Sequence, residues 1–125
     1  REAGAKSIII GSFLNANAVI NFLNDKEEDV VLFCAGWKDK VNLEDTLYAG
    51  YIAYQLLGEN ATEIDSTNIA IDVFKASNGD FQQYLLKSSH YHRLSKFHFD
   101  EDLKFCLQTD VYNILPFLIE NEIKI

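Results

Sequence analysis

Two groups of residues in this 125-residue sequence could do chemistry. The first is Gly11-Ser12, which follows the β-branched run Ser7-Ile8-Ile9-Ile10 and precedes Phe13-Leu14-Asn15. A glycine lets an anion approach the backbone closely. The N–H groups at Phe13, Leu14 and Asn15 of a following helix would point at that anion, so the bend is a generic anion seat. Ordinary N-capping by Ser12 accounts for the same residues. The second group is Glu44-Asp45, in the first turn of a predicted helix. Acidic residues there complement the helix dipole, and Asp45 lies three residues after Asn42, as in a capping box. The same carboxylates could hold magnesium at the C-terminal edge of a sheet, where α/β proteins bind ligands. Both readings stand, and they can apply to different carboxylates.

His90 and His92 form an H-x-H pair. On a strand they would share a face, whereas on a helix they lie about 200° apart. The segment reads as helical, so no two-histidine metal site is expected. His98 has no evident partner. Cys34 and Cys106 each sit in an apolar run without metal spacing. They are expected to be buried, reduced thiols, which points to the cytoplasm. Position 40, six residues after Cys34, is lysine rather than arginine, so the cysteine-phosphatase loop is absent. Nucleotide-binding glycine loops and the G-x-S-x-G nucleophile elbow are also absent.

The net charge of −8 argues against nucleic acid and anionic membranes as partners. It also opposes direct binding of a phosphorylated substrate. A divalent cation held by carboxylates would remove that conflict locally. With 48% hydrophobic and 24% charged residues, the chain can bury one core and is expected to form one α/β domain over 1–125. No apolar run approaches the roughly 18 residues of a membrane helix, and no secretory leader is expected.

Those candidates need elements to position them. Ser7 to Ile10 reads as a buried strand and Phe13 to Leu23 as a helix ending near Asn24-Asp25. Val30 to Ala35 reads as a second strand, apolar on both faces, as in a sheet covered on both sides. Asn42 is expected to cap a helix from Leu43 to about Leu57, ended by Gly58. Helices are expected from Asp65 or Ser66 to Ala76, from Asp80 toward Ser88, and around His90 to Lys96. Leu103 to Leu107 reads as a strand, Asn113 to Leu118 as an edge or extended segment around Pro116, and Ile123 to Ile125 as a terminal strand. The early strand–helix–strand order predicts a parallel βαβ unit with a right-handed crossover. The expected fold class is therefore α/β, a three-layer α/β/α arrangement on a mostly parallel or mixed sheet. Leu43 to Leu57 is apolar nearly all round, which predicts cover from a partner subunit or a further chain segment.

Several segments, read in order, carry a resemblance. They are Ile10-Gly11-Ser12-Phe13-Leu14-Asn15, Cys34-Ala35-Gly36-Trp37 and Asn42-Leu43-Glu44-Asp45-Thr46-Leu47-Tyr48-Ala49-Gly50. Ser89-His90-Tyr91-His92-Arg93-Leu94 follows, and then Asp102-Leu103-Lys104-Phe105-Cys106-Leu107 with Asp110 and Pro116. Together they resemble the C-terminal half of the 2-phosphosulfolactate phosphatase family, over most of the chain. The resemblance implies Mg²⁺-dependent hydrolysis of 2-phospho-3-sulfolactate to 3-sulfolactate and phosphate, in coenzyme M or sulfolactate synthesis. The family's N-terminal segments of the D-x-L-R-A-T and T-T-T-N-G-T types are not in this chain. The Lys38-Asp39-Lys40 loop also lacks the glycine many members carry.

On this reading Glu44 and Asp45 are the catalytic and metal-binding residues. Gly11, Ser12 and Asn15 hold substrate oxygens, and Arg93 or Lys38 meets the sulfonate, with surface solvation the stronger expectation for Lys38. The expected partners are a small phosphorylated anion and the missing N-terminal half or a partner subunit, with a homo-oligomer expected. The alternative is a non-catalytic oligomerisation or scaffold domain.

Overall fold

The longest helix among the described residues, α2 (Leu43–Leu57), is the centre of the molecule. A computed structural model describes residues 4–60 and 62–125. α2 begins where predicted, with the Asn42 side chain accepting the Glu44 N–H at 2.9 Å, and it ends at Gly58, whose φ is +62°. Its preceding partner is a 3-10 turn at Phe13–Asn15 that runs into α1 (Ala16–Asn24). α3 (Asp65–Ala76), α4 (Phe81–Leu85), α5 (Ser89–Ser95) and α6 (Asp100–Cys106) follow. A two-stranded antiparallel sheet, β1 (Phe117–Ile119) and β2 (Glu122–Lys124), closes the chain. The fold is a helix-rich mixture of helix and strand.

Much of the apolar surface of α2 is covered within the chain. Ile52 is fully buried against Ala16, Val19 and Ile20 of α1. One face away, Leu47 is fully buried with Phe13 and Leu85. A third side packs on α3, α2's most extensive helix contact. Gly50 makes that approach possible, because a Cβ there would collide with the Ala70 carbonyl. Gly50→Ala therefore has to push two backbones apart. It should lower stability by about 1–3 kcal/mol in denaturant unfolding, and an unchanged midpoint would contradict this packing.

Three strand expectations fare differently. Ser7 to Ile10 is extended and meets the C-terminal sheet antiparallel. Ile9 bridges Phe117, the Ile10 N–H donates to the Pro116 carbonyl at 2.9 Å, and the Leu118 N–H donates to the Ile8 carbonyl at 2.9 Å. Leu103 to Leu107 is not a strand but mostly the helix α6. Asp100, Glu101 and Asp102 fill its first turn and Lys104 its last, which suits the helix dipole, and Leu103 alone is its buried anchor. Val30 to Ala35 joins no strand among the described residues. Leu32 packs partly against the core, whereas Val31 and Phe33 lie open, 84% and 90% exposed. The parallel pairing of 7–10 with 30–35 is thus not formed within the described residues. The cysteines correct another expectation: both are free and exposed rather than buried.

Candidate active site

The Gly11-Ser12 bend is built by one buried side chain. Asn15 is 6% exposed and makes four hydrogen bonds. Its Nδ2 donates to the Ile10 and Ile114 carbonyls, both at 3.1 Å. Its Oδ1 accepts the Ser12 N–H at 2.8 Å and the Ser12 hydroxyl at 3.2 Å. The Asn15 amide thus ties the bend to the C-terminal segment. The first turn of α1 is capped from far along the chain, where Asp110 Oδ1 accepts the Asn17 N–H at 2.6 Å. Nearby, the Asp110 and Tyr112 N–H groups donate to the Phe13 and Leu14 carbonyls. The N–H groups of Phe13 and Leu14 have no acceptor among the described residues. They are the open donors of the bend.

Glu44 and Asp45 stand in the first turn of α2. Asp45 Oδ2 accepts the Gly36 N–H at 2.7 Å. Gly36 belongs to a tight turn in which Trp37 and Lys40 exchange backbone hydrogen bonds of 3.0 and 3.1 Å. Its φ is +70°, and a Cβ would sit 2.7 Å from the Lys40 carbonyl oxygen, so only glycine fits there. The two central residues, Lys38 and Asp39, also have positive φ. The turn thus forms without the glycine such turns favour.

Burial holds the Glu44 carboxyl above the ordinary carboxylate range. The neighbouring Asp45 adds to this, while His90 opposes it. His90 Nε2 lies 3.7 Å from Glu44 Oε2. Arg93 donates to His90 Nδ1 at 2.7 Å, and its guanidinium lies 4.2 Å from the centre of the Trp37 ring.

The bend and the carboxylates share one space. A cavity of about 590 Å³ is lined by Gly11, Ser12, Glu44 and Asp45, with the 30–35 segment on its wall. Asn15 and Arg93 are not in that lining. Asn15 supports the bend from behind, and Arg93 is docked on Trp37 and His90. The Tyr48 hydroxyl, also at this cavity, is buried without a hydrogen-bond partner among the described residues. Burial pushes its pKa far up, with Tyr51 and Asp110 adding to the shift. A Cβ at position 11 would lie 2.5 Å from this hydroxyl, so the Tyr48 ring would have to shift to admit one. Cys34 and Cys106 also reach the cavity. Partial desolvation by the surrounding groups raises both thiols above their ordinary range, so neither is an activated thiolate. A smaller cavity of about 290 Å³ is also lined by Glu44, together with His90, Asp102 and Cys106.

Among the described residues no three potential ligands converge on one point. Two adjacent carboxylates on a cavity nonetheless suit magnesium, which takes one or two protein carboxylates and completes its shell with water and substrate oxygens.

Sequence reasoning missed His90 as a neighbour of Glu44, because the two come from helices 46 residues apart. The i, i+3 spacing of His90 and Arg93 on α5 was the one local signal available. Tyr48 and Asp110 carried no local signal for their places at the bend.

The open N–H donors of a glycine-serine bend and a pair of carboxylates thus line one cavity, and the sequence is similar to proteins named as phosphatases. The chain belongs to the 2-phosphosulpholactate phosphatase family, whose model matches residues 1–121. Three bacterial relatives, each named a probable 2-phosphosulfolactate phosphatase, illustrate the relation. The protein from Pseudothermotoga lettingae is 35% identical over 118 residues, which is 94% of this chain and 51% of the relative. That from Cyanothece sp. is 34% identical, over 93% of this chain and 50% of the relative. That from Symbiobacterium thermophilum is 36% identical, over 98% and 54%. The chain spans about half the length of the curated relatives it matches.

Proposed function

We propose that this chain supplies part of a Mg²⁺-dependent site that hydrolyses 2-phospho-3-sulfolactate, or a related small phosphoester, to 3-sulfolactate and phosphate. The observation that carries the reading is the shared cavity, which puts the Gly11-Ser12 bend and the Glu44-Asp45 pair around one space. Glu44 and Oδ1 of Asp45, which accepts no hydrogen bond among the described residues, would hold the metal. When bound, Mg²⁺ would neutralise charge on the phosphoryl oxygens. The Phe13 and Leu14 N–H groups and the Ser12 hydroxyl would bind substrate oxygens, with the close approach given by Gly11. Asn15 contributes by fixing the bend. A sulfonate contact from Arg93 does not enter this reading, because its guanidinium lies away from the cavity.

The partner in this reading is the half of the family protein that the chain does not span, in a cytoplasmic homo-oligomer. Extended segments 8–10 and 30–35 both line the cavity. Strands from that other half would pair with 30–35, cover Val31 and Phe33, and complete a three-layer α/β/α sheet. Among the described residues no helix is long and apolar enough to cross a membrane.

The test is phosphate release from 2-phospho-3-sulfolactate by this chain combined with that half. Chelation of Mg²⁺ should abolish turnover and re-addition restore it, and Asp45→Asn should lower it by about 10²-fold. Turnover indifferent to chelation would remove the metal from the mechanism. The bare 30–35 segment also supports a second reading, an oligomerisation or scaffold domain. A tight dimer by light scattering, with no Mg²⁺ or phosphate binding by calorimetry, would favour it.

A further inference from the structure

Both carboxylates of the cavity are fastened to the same short turn. Asp45 is held directly, by the Gly36 N–H. Glu44 is reached through three side chains in series. The Trp37 ring supports the Arg93 guanidinium at 4.2 Å, Arg93 donates to His90 Nδ1 at 2.7 Å, and His90 Nε2 faces Glu44 Oε2 at 3.7 Å. Arginine can only donate. His90 Nδ1 must therefore accept, and the proton of the neutral ring sits on Nε2, the edge turned to Glu44. A planar guanidinium suits both contacts at once, with its face on an aromatic ring and its edge on a nitrogen acceptor.

We propose that His90 is a positioning residue for Glu44, with Arg93 and Trp37 fixing its ring, so that the 36–40 turn sets the separation and aim of both carboxylates. The role of those carboxylates rests on the reading above; the side-chain chain itself does not. His90 and Arg93 stand outside the lining of the larger cavity, so they act through Glu44 rather than on a substrate. Partners of this kind, standing behind ligating groups, typically change metal affinity 10–100-fold when removed.

Two measurements on the full polypeptide carrying this chain test the proposal. Long-range ¹H–¹⁵N correlation spectra of the imidazole should show His90 with its proton on Nε2. Arg93→Gln should convert it to a mixture of tautomers, with the other two histidines unchanged. This readout needs neither metal nor activity, so it separates failure of the bracket from failure of the phosphatase reading. Mg²⁺ calorimetry then tests the consequence. His90→Ala should weaken binding about 10-fold, and His90→Gln, whose amide can place an N–H near the same point, should recover most of it. A proton on Nδ1 in the unaltered protein, or equal affinities for the alanine and glutamine variants, would overturn the proposal.

Discussion

Glu44→Gln is expected to stabilise the protein at neutral pH while lowering phosphatase turnover by about 10²–10³-fold, the scale for losing a key electrostatic group. Folding places this carboxyl in a buried position beside Asp45 and so raises its pKa above the ordinary 4.5. A raised carboxyl binds its proton more tightly in the native state than in the unfolded one. Its stabilising contribution is fully present below the unfolded value and is lost as pH rises through the folded value. At neutral pH the charged form is therefore a burden, and glutamine relieves it. Melting curves should show Glu44→Gln above the parent at pH 7, with the difference closing near pH 4. A variant less stable than the parent at pH 7 would mean the charged carboxylate is satisfied in the folded protein. Near-normal turnover in the complete enzyme would remove Glu44 from the site.

Asn15→Ala should be the most damaging polar substitution in the chain. It leaves the Ile10 and Ile114 carbonyls without their donor and releases the Ser12 N–H and hydroxyl. A buried group stripped of its partner costs about 1–3 kcal/mol, so a loss of about 3 kcal/mol or more is expected in denaturant unfolding. Asn15→Asp tests the direction of the bonds. It keeps the acceptor for Ser12 but brings carboxylate oxygen against two carbonyls, and should be at least as destabilising. Tolerance of aspartate would show that Nδ2 does not hold the two carbonyls.

The parts of the fold that were legible in the sequence are those decided locally. Asn42 before an apolar helix and Gly58 after it mark both ends of α2, and Asp80 caps α4 through the Gln83 N–H at 3.0 Å. The α5 helix was legible from its own residues as well. The reading failed where one short signal has two meanings. Leu103-Lys104-Phe105-Cys106-Leu107 has the composition of a strand, but the three acids preceding it favour a helix start. The all-round apolarity of α2 is met in part within the chain, by α1, α3 and Leu85 of α4. The candidate site divides the same way. Glycine, serine and the acidic pair announce themselves by type. The Asn17–Asp110 cap spans 93 residues, and the approach of His90 to Glu44 depends on how α5 lies beside α2. No periodicity encodes either contact.

The bare stretch from Val30 to Ala35 has a further consequence for the life of this polypeptide. Six successive uncharged residues, rich in β-branched and aromatic types and free of proline, form the kind of segment that stacks with copies of itself. If the other half of the family protein covers this segment, as proposed above, a chain made without that half would be drawn toward insoluble fibrous assembly. Prompt association, or shielding by a chaperone until association occurs, would then set the yield of native protein in the cell.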